Sequence, residues 1–70
     1  MTEFVSPIFG SLALFHVEEG SMVEKGEAIC EVEAMKVNYR VEAPTAGKIK
    51  FFFDLGEVVG EGDVIGEIEE

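Results

Sequence analysis

Apolar and polar residues alternate along most of the chain, which is the pattern of β-strands with one buried face. The alternation is clearest between residues 37 and 43, where every second residue is apolar. No stretch of about 11 residues carries the i, i+3, i+4 apolar stripe of an amphipathic helix. The pattern therefore predicts an all-β protein with strands near residues 3–6, 10–17, 22–24, 28–34, 37–42, 46–53, 57–60 and 64–69.

The chain contains two copies of one unit. Residues 17–34 and 53–70 match at an offset of 36, and the Pro-x-x-Gly segments before them match at an offset of 37. One residue has therefore been gained or lost between the blocks. Gly20 and Gly56 are equivalent in the two copies and are expected to close tight turns with positive φ. Because a solenoid needs about three or more copies, the repeat predicts a pseudo-twofold β-structure, either a sandwich or a flattened barrel.

The two central strands predict a hairpin with a self-consistent register. If residues 28–34 pair with 37–43, the apolar residues at alternate positions of one strand face apolar residues of the other. A shift of one residue would move each side chain to the opposite face, so this register is strongly favoured. The expected pairs are Ala34–Val37, Glu33–Asn38, Val32–Tyr39, Glu31–Arg40 (of opposite charge), Cys30–Val41 and Ala28–Ala43.

Met35 and Lys36 occupy the predicted turn of this hairpin. Two-residue hairpin turns favour Asn-Gly, Asp-Gly or Gly-X, because their central residues take positive φ. Met-Lys departs from that rule, and such departures are concentrated at functional sites. In the second copy the position equivalent to this turn lies just beyond Glu70. The chain ends are therefore expected to meet at the end of the molecule opposite Lys36.

Length and charge limit the classes of function. Seventy residues make one small domain, residues 1–70, with little room for an enzyme cleft beside a core. The formal net charge of −10 disfavours nucleic acid and anionic membranes and suits transient basic protein partners, although solubility alone would also explain it. No phosphate-binding G-x-x-x-x-G-K-[ST] loop and no calcium-binding D-x-D-x-D-G loop is present. The chain is therefore predicted to have no catalytic residues and no metal site.

Cys30 is the only cysteine, so an intrachain disulfide is impossible. It lies in an apolar alternation and is interpreted as a small core residue, while His16, the one histidine, lies in another segment. No apolar run approaches the roughly 20 residues that span a bilayer, and the N-terminus has no signal-peptide pattern. A reducing, cytoplasmic location without membrane insertion is the expectation.

The hairpin turn and the glycine framework resemble a known family. Glu33-Ala34-Met35-Lys36 is similar to the biotinylation motif of biotin carboxyl carrier domains, which belong to the biotinyl/lipoyl attachment family. The resemblance covers nearly the whole chain. Its further segments are Ser6-Pro7-Ile8-Phe9-Gly10, the turns around Gly20 and Gly26, Ala43-Pro44-Thr45-Ala46-Gly47, and the closing segment with Gly56, Gly62 and Asp63-Val64-Ile65.

The resemblance implies a carrier of covalently bound biotin. A biotin protein ligase would attach biotin to the Nζ of Lys36, and Glu33, Ala34, Met35 and Val37 would form the motif that the ligase recognises. A biotin carboxylase would load carboxylate onto the biotin, and a carboxyltransferase or decarboxylase would remove it. The implied fold is a flattened barrel of two four-stranded antiparallel sheets with the modified lysine at a hairpin tip.

Departures from the family pattern leave alternatives open. Val37 follows Lys36, where many such carriers have methionine, and the thumb-like insertion and Ala/Pro-rich linker of some carriers have no counterpart here. The chain is therefore either a free-standing carrier or a piece of a longer polypeptide.

A lipoyl domain would share the fold and the lysine, but it typically has Asp before the lysine, where this chain has Met35. An unmodified interaction domain, in which Lys36 is merely solvated, is the third interpretation.

Overall fold

The computed structural model describes residues 1–70 and contains eight β-strands and no helix. All eight predicted strands are present, and four of them are one to three residues shorter than expected. Two of these end early because the chain bends after Phe15 and after Phe51 towards the turn glycines. No helix is present that could span a membrane. The strands are β1 (Thr2–Val5), β2 (Gly10–Phe15), β3 (Met22–Val23), β4 (Ala28–Ala34), β5 (Val37–Glu42), β6 (Gly47–Phe51), β7 (Val58–Val59) and β8 (Val64–Glu69).

The strands form two four-stranded antiparallel sheets that face each other as a sandwich. The order is β1-β8-β6-β3 in one sheet and β5-β4-β2-β7 in the other. In the repeat, β1 is equivalent to β5, β2 to β6, β3 to β7 and β4 to β8. Exchanging the equivalent strands converts one order into the other, so the sheets are related by the pseudo-twofold repeat. The prediction of an all-β sandwich is confirmed, and the sheets remain separate rather than closing into a barrel.

A β-bulge accounts for the single-residue difference between the two copies. In β2, Leu12 lies opposite Val32 and Leu14 opposite Glu31, which leaves Ala13 without a partner. The equivalent strand, β6, pairs with β8 in a continuous register. A bulge adds one residue to one strand of a pair. Ala13 is therefore the extra residue that changes the offset from 37 to 36.

The core lies between the sheets and is apolar, and Ser6 is the one buried polar residue. A pair of partly buried phenylalanines from the two copies packs against this core and joins the sheets, since Phe15 stacks on Phe51 with ring centroids 4.1 Å apart. Phe4 meets Phe51 edge-on at 6.0 Å. The buried cluster consists of Phe4, Leu12, Val23, Ile29, Cys30, Val32, Val41, Ala43, Ile49, Val59, Ile65 and Ile68. Gly20 and Gly56 close turns outside this core with φ of 85° and 87°, as predicted.

The hairpin turn and the chain ends lie at opposite ends of an elongated molecule. The strand β2 begins beside Glu33, and its equivalent β6 begins beside Glu69. Both strands end near the middle of the molecule, where Phe15 stacks on Phe51. The molecule measures 33 × 17 × 17 Å. The N-terminal amine lies 3.4 Å from the carboxylate of Glu70, so the prediction that the chain ends meet is confirmed.

Candidate functional site

The hairpin between β4 and β5 turns on two residues in a conformation that is unusual for side chains of this kind. Met35 has φ of 52° and Lys36 has φ of 65°. Positive φ at both central residues is the requirement of a type I′ turn, which is normally met by Asn or Gly. For residues with long side chains this region costs roughly 1–2 kcal/mol each. The predicted two-residue turn is confirmed, and it stores local strain in an exposed part of the molecule.

Glu33 stabilises this turn through its side chain. One of its carboxylate oxygens accepts a hydrogen bond from the backbone N–H of Lys36 at 3.0 Å. A charge-assisted bond of this kind is stronger than one between neutral groups. Glu33 therefore holds the turn through the main chain and leaves the amine of Lys36 free.

Lys36 differs from the other lysines in its surroundings. It lies in the strained hairpin turn, beside Met35, which is 96% exposed. Like the other three lysines, it is exposed and forms no ion pair. Lys48 and Lys50 lie along β6, and Lys25 lies in a turn, as predicted. An uncharged lysine amine is a nucleophile that can accept an acyl group. Lys36 presents its amine at an exposed end of the molecule.

The predicted register of the hairpin is confirmed from the turn as far as the pair Cys30–Val41. The last predicted pair, Ala28 with Ala43, is wrong, because Ala28 lies opposite Glu42 after a shift in register. The shift places two consecutive residues, Ile29 and Cys30, in the core, and both are fully buried. Regular alternation would have turned Ile29 towards the solvent.

The predicted pair of opposite charge, Glu31 with Arg40, is present in the register but forms no direct ion pair. The two residues are opposite each other, but Arg40 pairs with Glu42 at 3.3 Å. Glu31 instead accepts a hydrogen bond from the side chain of Asn38 and lies within hydrogen-bond distance of His16 Nε2, both at 2.8 Å. The bonds to Asn38 and His16 hold the pKa of the Glu31 carboxyl below its ordinary value. Sequence reasoning missed His16, although its place at the end of β2 put it opposite β4.

The apolar face of the hairpin extends beyond the core. Val37 is 51% exposed and Tyr39 is 38% exposed, although alternation placed both on the buried face with Val41. Ala34 lies opposite Val37 and is half-buried. The candidate residues Glu33, Ala34, Met35, Lys36 and Val37 therefore lie together at one end, with apolar side chains around the single lysine.

Cys30 takes no part in this site. It is fully buried in β4, and burial raises the pKa of its thiol to about 12, with a smaller contribution from the nearby charge of Glu31. The thiolate is the reactive form of cysteine. Nothing therefore supports a nucleophilic role. No cluster of His, Cys, Asp or Glu has the arrangement of a metal site.

We expect Cys30 to resist iodoacetamide at pH 8 in the folded protein and to react fully once the chain is unfolded in denaturant. The native rate should follow the opening of the fold, because both burial and the raised pKa suppress the thiolate. Time-resolved intact mass with and without denaturant measures this difference. Equal rates in the two conditions would show that Cys30 is accessible.

Comparison with known proteins agrees with this fold. The model of the family described as "Biotin-requiring enzyme" matches residues 2–69. The alpha chain of mitochondrial propionyl-CoA carboxylase from Mus musculus is 40% identical over 65 residues, which is 91% of this chain and 9% of that protein. The chain thus spans about a tenth of the length of that relative.

The relatives include an acetyltransferase component as well as carboxylases. The dihydrolipoyllysine-residue acetyltransferase component of the pyruvate dehydrogenase complex from Mycoplasma capricolum is 39% identical over 62 residues, covering 87% of this chain and 14% of that protein. Among solved structures, the urea carboxylase of Kluyveromyces lactis superimposes with a TM-score of 0.88 at 28% identity, over 96% of this chain and 6% of that one. The match over almost the whole length shows that this chain belongs to the biotinyl/lipoyl attachment domain family.

Proposed function

We propose that residues 1–70 form a non-catalytic biotin carboxyl carrier domain with biotin joined by an amide to the Nζ of Lys36. The observation that carries this proposal is the strained, exposed Met35-Lys36 turn, in which the lysine has no ion-pair partner. Biotin supplies a ureido nitrogen that can carry a carboxylate. The protein supplies the position and the reach of the lysine.

The residues around Lys36 fit such a group. Its amine projects from the narrow end of an elongated molecule, where a second protein can approach it from several sides. Glu33 fixes the main chain of the turn, so the modifying enzyme meets a defined shape rather than a flexible loop. Met35, Val37 and Ala34 offer apolar contact around the amine. We assign these four residues to recognition by a biotin protein ligase.

The partners follow from the carrier role. A biotin carboxylase and a carboxyltransferase or decarboxylase would each receive the tip of the hairpin in turn. A tether that brings one group to two sites raises its effective concentration at each of them. The chain ends lie at the opposite end of the molecule, so a connection to a larger polypeptide would leave the tip free to enter both sites. The similarity to carboxylases supports this assignment.

Lipoate is the second candidate, and the 39% identity with an acetyltransferase of the lipoyl type favours it. The residue before the lysine separates the two possibilities. Lipoyl domains typically have Asp at this position, and Met35 is apolar and 96% exposed. An exposed apolar side chain contributes binding energy only when a partner covers it. We therefore favour biotin over lipoate.

The test is intact mass after incubation with ATP and either biotin and a biotin protein ligase, or lipoate and a lipoate ligase. We expect one biotinyl addition, and a Met35→Asp variant should be biotinylated at least about tenfold more slowly, a loss of about 1.4 kcal/mol of recognition. Met22→Asp is the matched control, since Met22 is also exposed but lies on β3, outside the hairpin.

The outcomes separate the candidates. Addition of lipoate without biotin would replace the biotin assignment, and no addition by either ligase would leave an unmodified interaction domain. An unchanged rate for Met35→Asp, or an equal loss for Met22→Asp, would contradict the role of Met35.

A further inference from the structure

A groove at the middle of the molecule is unused by the proposed carrier role. It forms where β2 and β6 end, and the stacked rings of Phe15 and Phe51 are part of its lining. Six of the eleven residues that line it are hydrophobic. Among them Phe52 is 47% exposed and Met22 is 72% exposed. A small domain that leaves such side chains together in one depression has an apolar surface suited to a partner.

The exposed ring of Phe52 is not explained by the fold. Residues 15–18 and 51–54 are equivalent in the two copies, and both segments line the groove. At the position of Phe52 the first copy has His16, so the repeat tolerates a polar residue there. Phe52 is absent from the core and from the side chains packed against it. Its one aromatic or cationic contact is the amine of Lys50, 5.9 Å from the ring centroid.

The rim of the groove is acidic. Glu18 and Asp54, again equivalent in the two copies, line it, and their carboxylates form no ion pair or hydrogen bond. Glu19 also lines it, with one oxygen accepting the backbone N–H of Phe51 at 2.8 Å. No lysine or arginine is among the lining residues. The groove therefore combines an apolar floor with three acidic side chains, and one lysine amine, that of Lys50 over the Phe52 ring, lies beside it.

We propose that this groove docks an extended segment of a partner protein in which apolar side chains alternate with lysine or arginine. The apolar side chains would cover Phe52 and Met22, while the basic ones would pair with the rim. A second copy of this chain is disfavoured as the occupant because it also carries a net charge of −10. A small molecule is disfavoured because the groove is an open depression, whereas ligand sites bury most of their ligand.

Docking at this groove would leave the hairpin free. Phe15 lies opposite Cys30, four residues before Ala34. At about 3.3 Å per residue, the groove lies roughly 13 Å from the turn. A partner could therefore hold the domain by its middle while Lys36 remains accessible. This inference goes beyond the carrier role and does not depend on which group Lys36 accepts.

The test is a titration of the 15N-labelled chain with an acetylated, amidated peptide, Lys-Leu-Lys-Phe-Lys-Leu-Lys, at low salt. We expect saturable amide shifts in residues 15–22 and 51–54 and none in residues 33–38. Phe52→Ser should raise the Kd about tenfold, as loss of a buried aromatic anchor does. Phe9→Ser is the matched control, because Phe9 is 69% exposed but lies outside the groove. Met22→Ser serves as the second groove variant if Phe52→Ser is not folded.

Charge is tested separately. Glu18→Gln with Asp54→Asn should weaken binding and flatten its salt dependence, whereas Glu61→Gln with Glu69→Gln, an exposed pair outside the groove, should leave binding nearly unchanged. Biotinylation of Lys36 should be the same in Phe52→Ser and in the unaltered chain, so failure of this proposal is distinguishable from failure of the carrier role.

Three results would overturn the proposal. Equal binding of a peptide with Ser in place of Leu and Phe would show attraction by net charge alone. Shifts centred on the hairpin, or no saturable shifts, would remove the groove as the site. Self-association seen by sedimentation and abolished by Phe52→Ser would make a second copy the occupant.

Discussion

Lys36→Arg is expected to abolish covalent attachment while leaving the thermal unfolding midpoint within about 4 °C of the unaltered chain. The guanidinium of arginine stays protonated at every accessible pH, so it offers no free electron pair to an acyl group. The substitution keeps the positive charge and the length of an exposed side chain. Intact mass after ligase treatment, measured beside a melting curve, reports both properties on one sample.

The structure explains why this variant should remain folded. The bond that holds the turn runs from the backbone N–H of residue 36 to the carboxylate of Glu33, so it does not depend on the side chain of Lys36. The strain of a positive φ of 65° is also the same for two long unbranched side chains. Loss of attachment in Lys36→Arg would therefore report the missing amine rather than a damaged turn.

Lys48→Arg is the matched control, since Lys48 is also exposed but lies on β6. It should accept biotin at the full rate. A biotinyl mass that persists in Lys36→Arg and disappears in Lys48→Arg would move the site to the other sheet. An addition in both variants would indicate non-specific acylation.

The sequence predicted the fold because two independent patterns agreed. Alternation assigned the strands, and the repeat required the two sheets to have equivalent orders, which they have. The register of β4 with β5 followed from matching apolar residues around Met35 and Lys36. Each of these inferences depends on the order of residues along the chain, which can be read directly from the sequence.

The features that sequence reasoning missed depend on what lies across the sheet. Alternation indicates which side of a strand a residue is on, but not whether another sheet covers that side, so Val37 and Tyr39 were expected to be buried. The contact of Glu31 with His16 depends on the register of β2 with β4, which the bulge at Ala13 shifts by one residue. The candidate site was found because its signal, a lysine in a turn with poor turn residues, is local.

Gly66→Ala is expected to lower the free energy of unfolding by about 3 kcal/mol, since inserting a methyl group into a well-packed interior costs about 1–3 kcal/mol and backbone atoms cannot move aside. Gly66 is buried in β8. A Cβ there would overlap the carbonyl oxygen of Lys50 and lie 2.6 Å from Cζ of Phe4. For a domain of this size the midpoint should fall by roughly 12–24 °C. Circular dichroism melts measure the shift.

Gly62→Ala is the control, because Gly62 has φ of +85° and no atom within 4 Å of an added Cβ. It should cost only about 1 kcal/mol, the conformational penalty of alanine in the left-handed region. Equal losses in the two variants would mean that the neighbours of Gly66 yield to the added methyl group, since Gly66 is not among the glycines with positive φ. A negligible loss in Gly66→Ala would show that β6 and β8 can separate locally at this position.

The repeat explains why glycine is needed at position 66 and not at position 30, its equivalent in the first copy. Gly66 pairs with Phe4, whereas the equivalent residue, Cys30, pairs with the smaller Val41. In one copy the pair is a large side chain, Phe4, opposite a glycine, Gly66. In the other copy it is two side chains of intermediate size, Val41 and Cys30. Exchanging the pair, as Phe4→Val with Gly66→Cys, should recover only part of the stability that Gly66→Cys loses. The clash with Phe4 is then relieved, but β6 lacks the bulge that β2 has at Ala13, so the carbonyl of Lys50 still blocks the new side chain. Full recovery would mean that the aromatic ring alone requires glycine at this position.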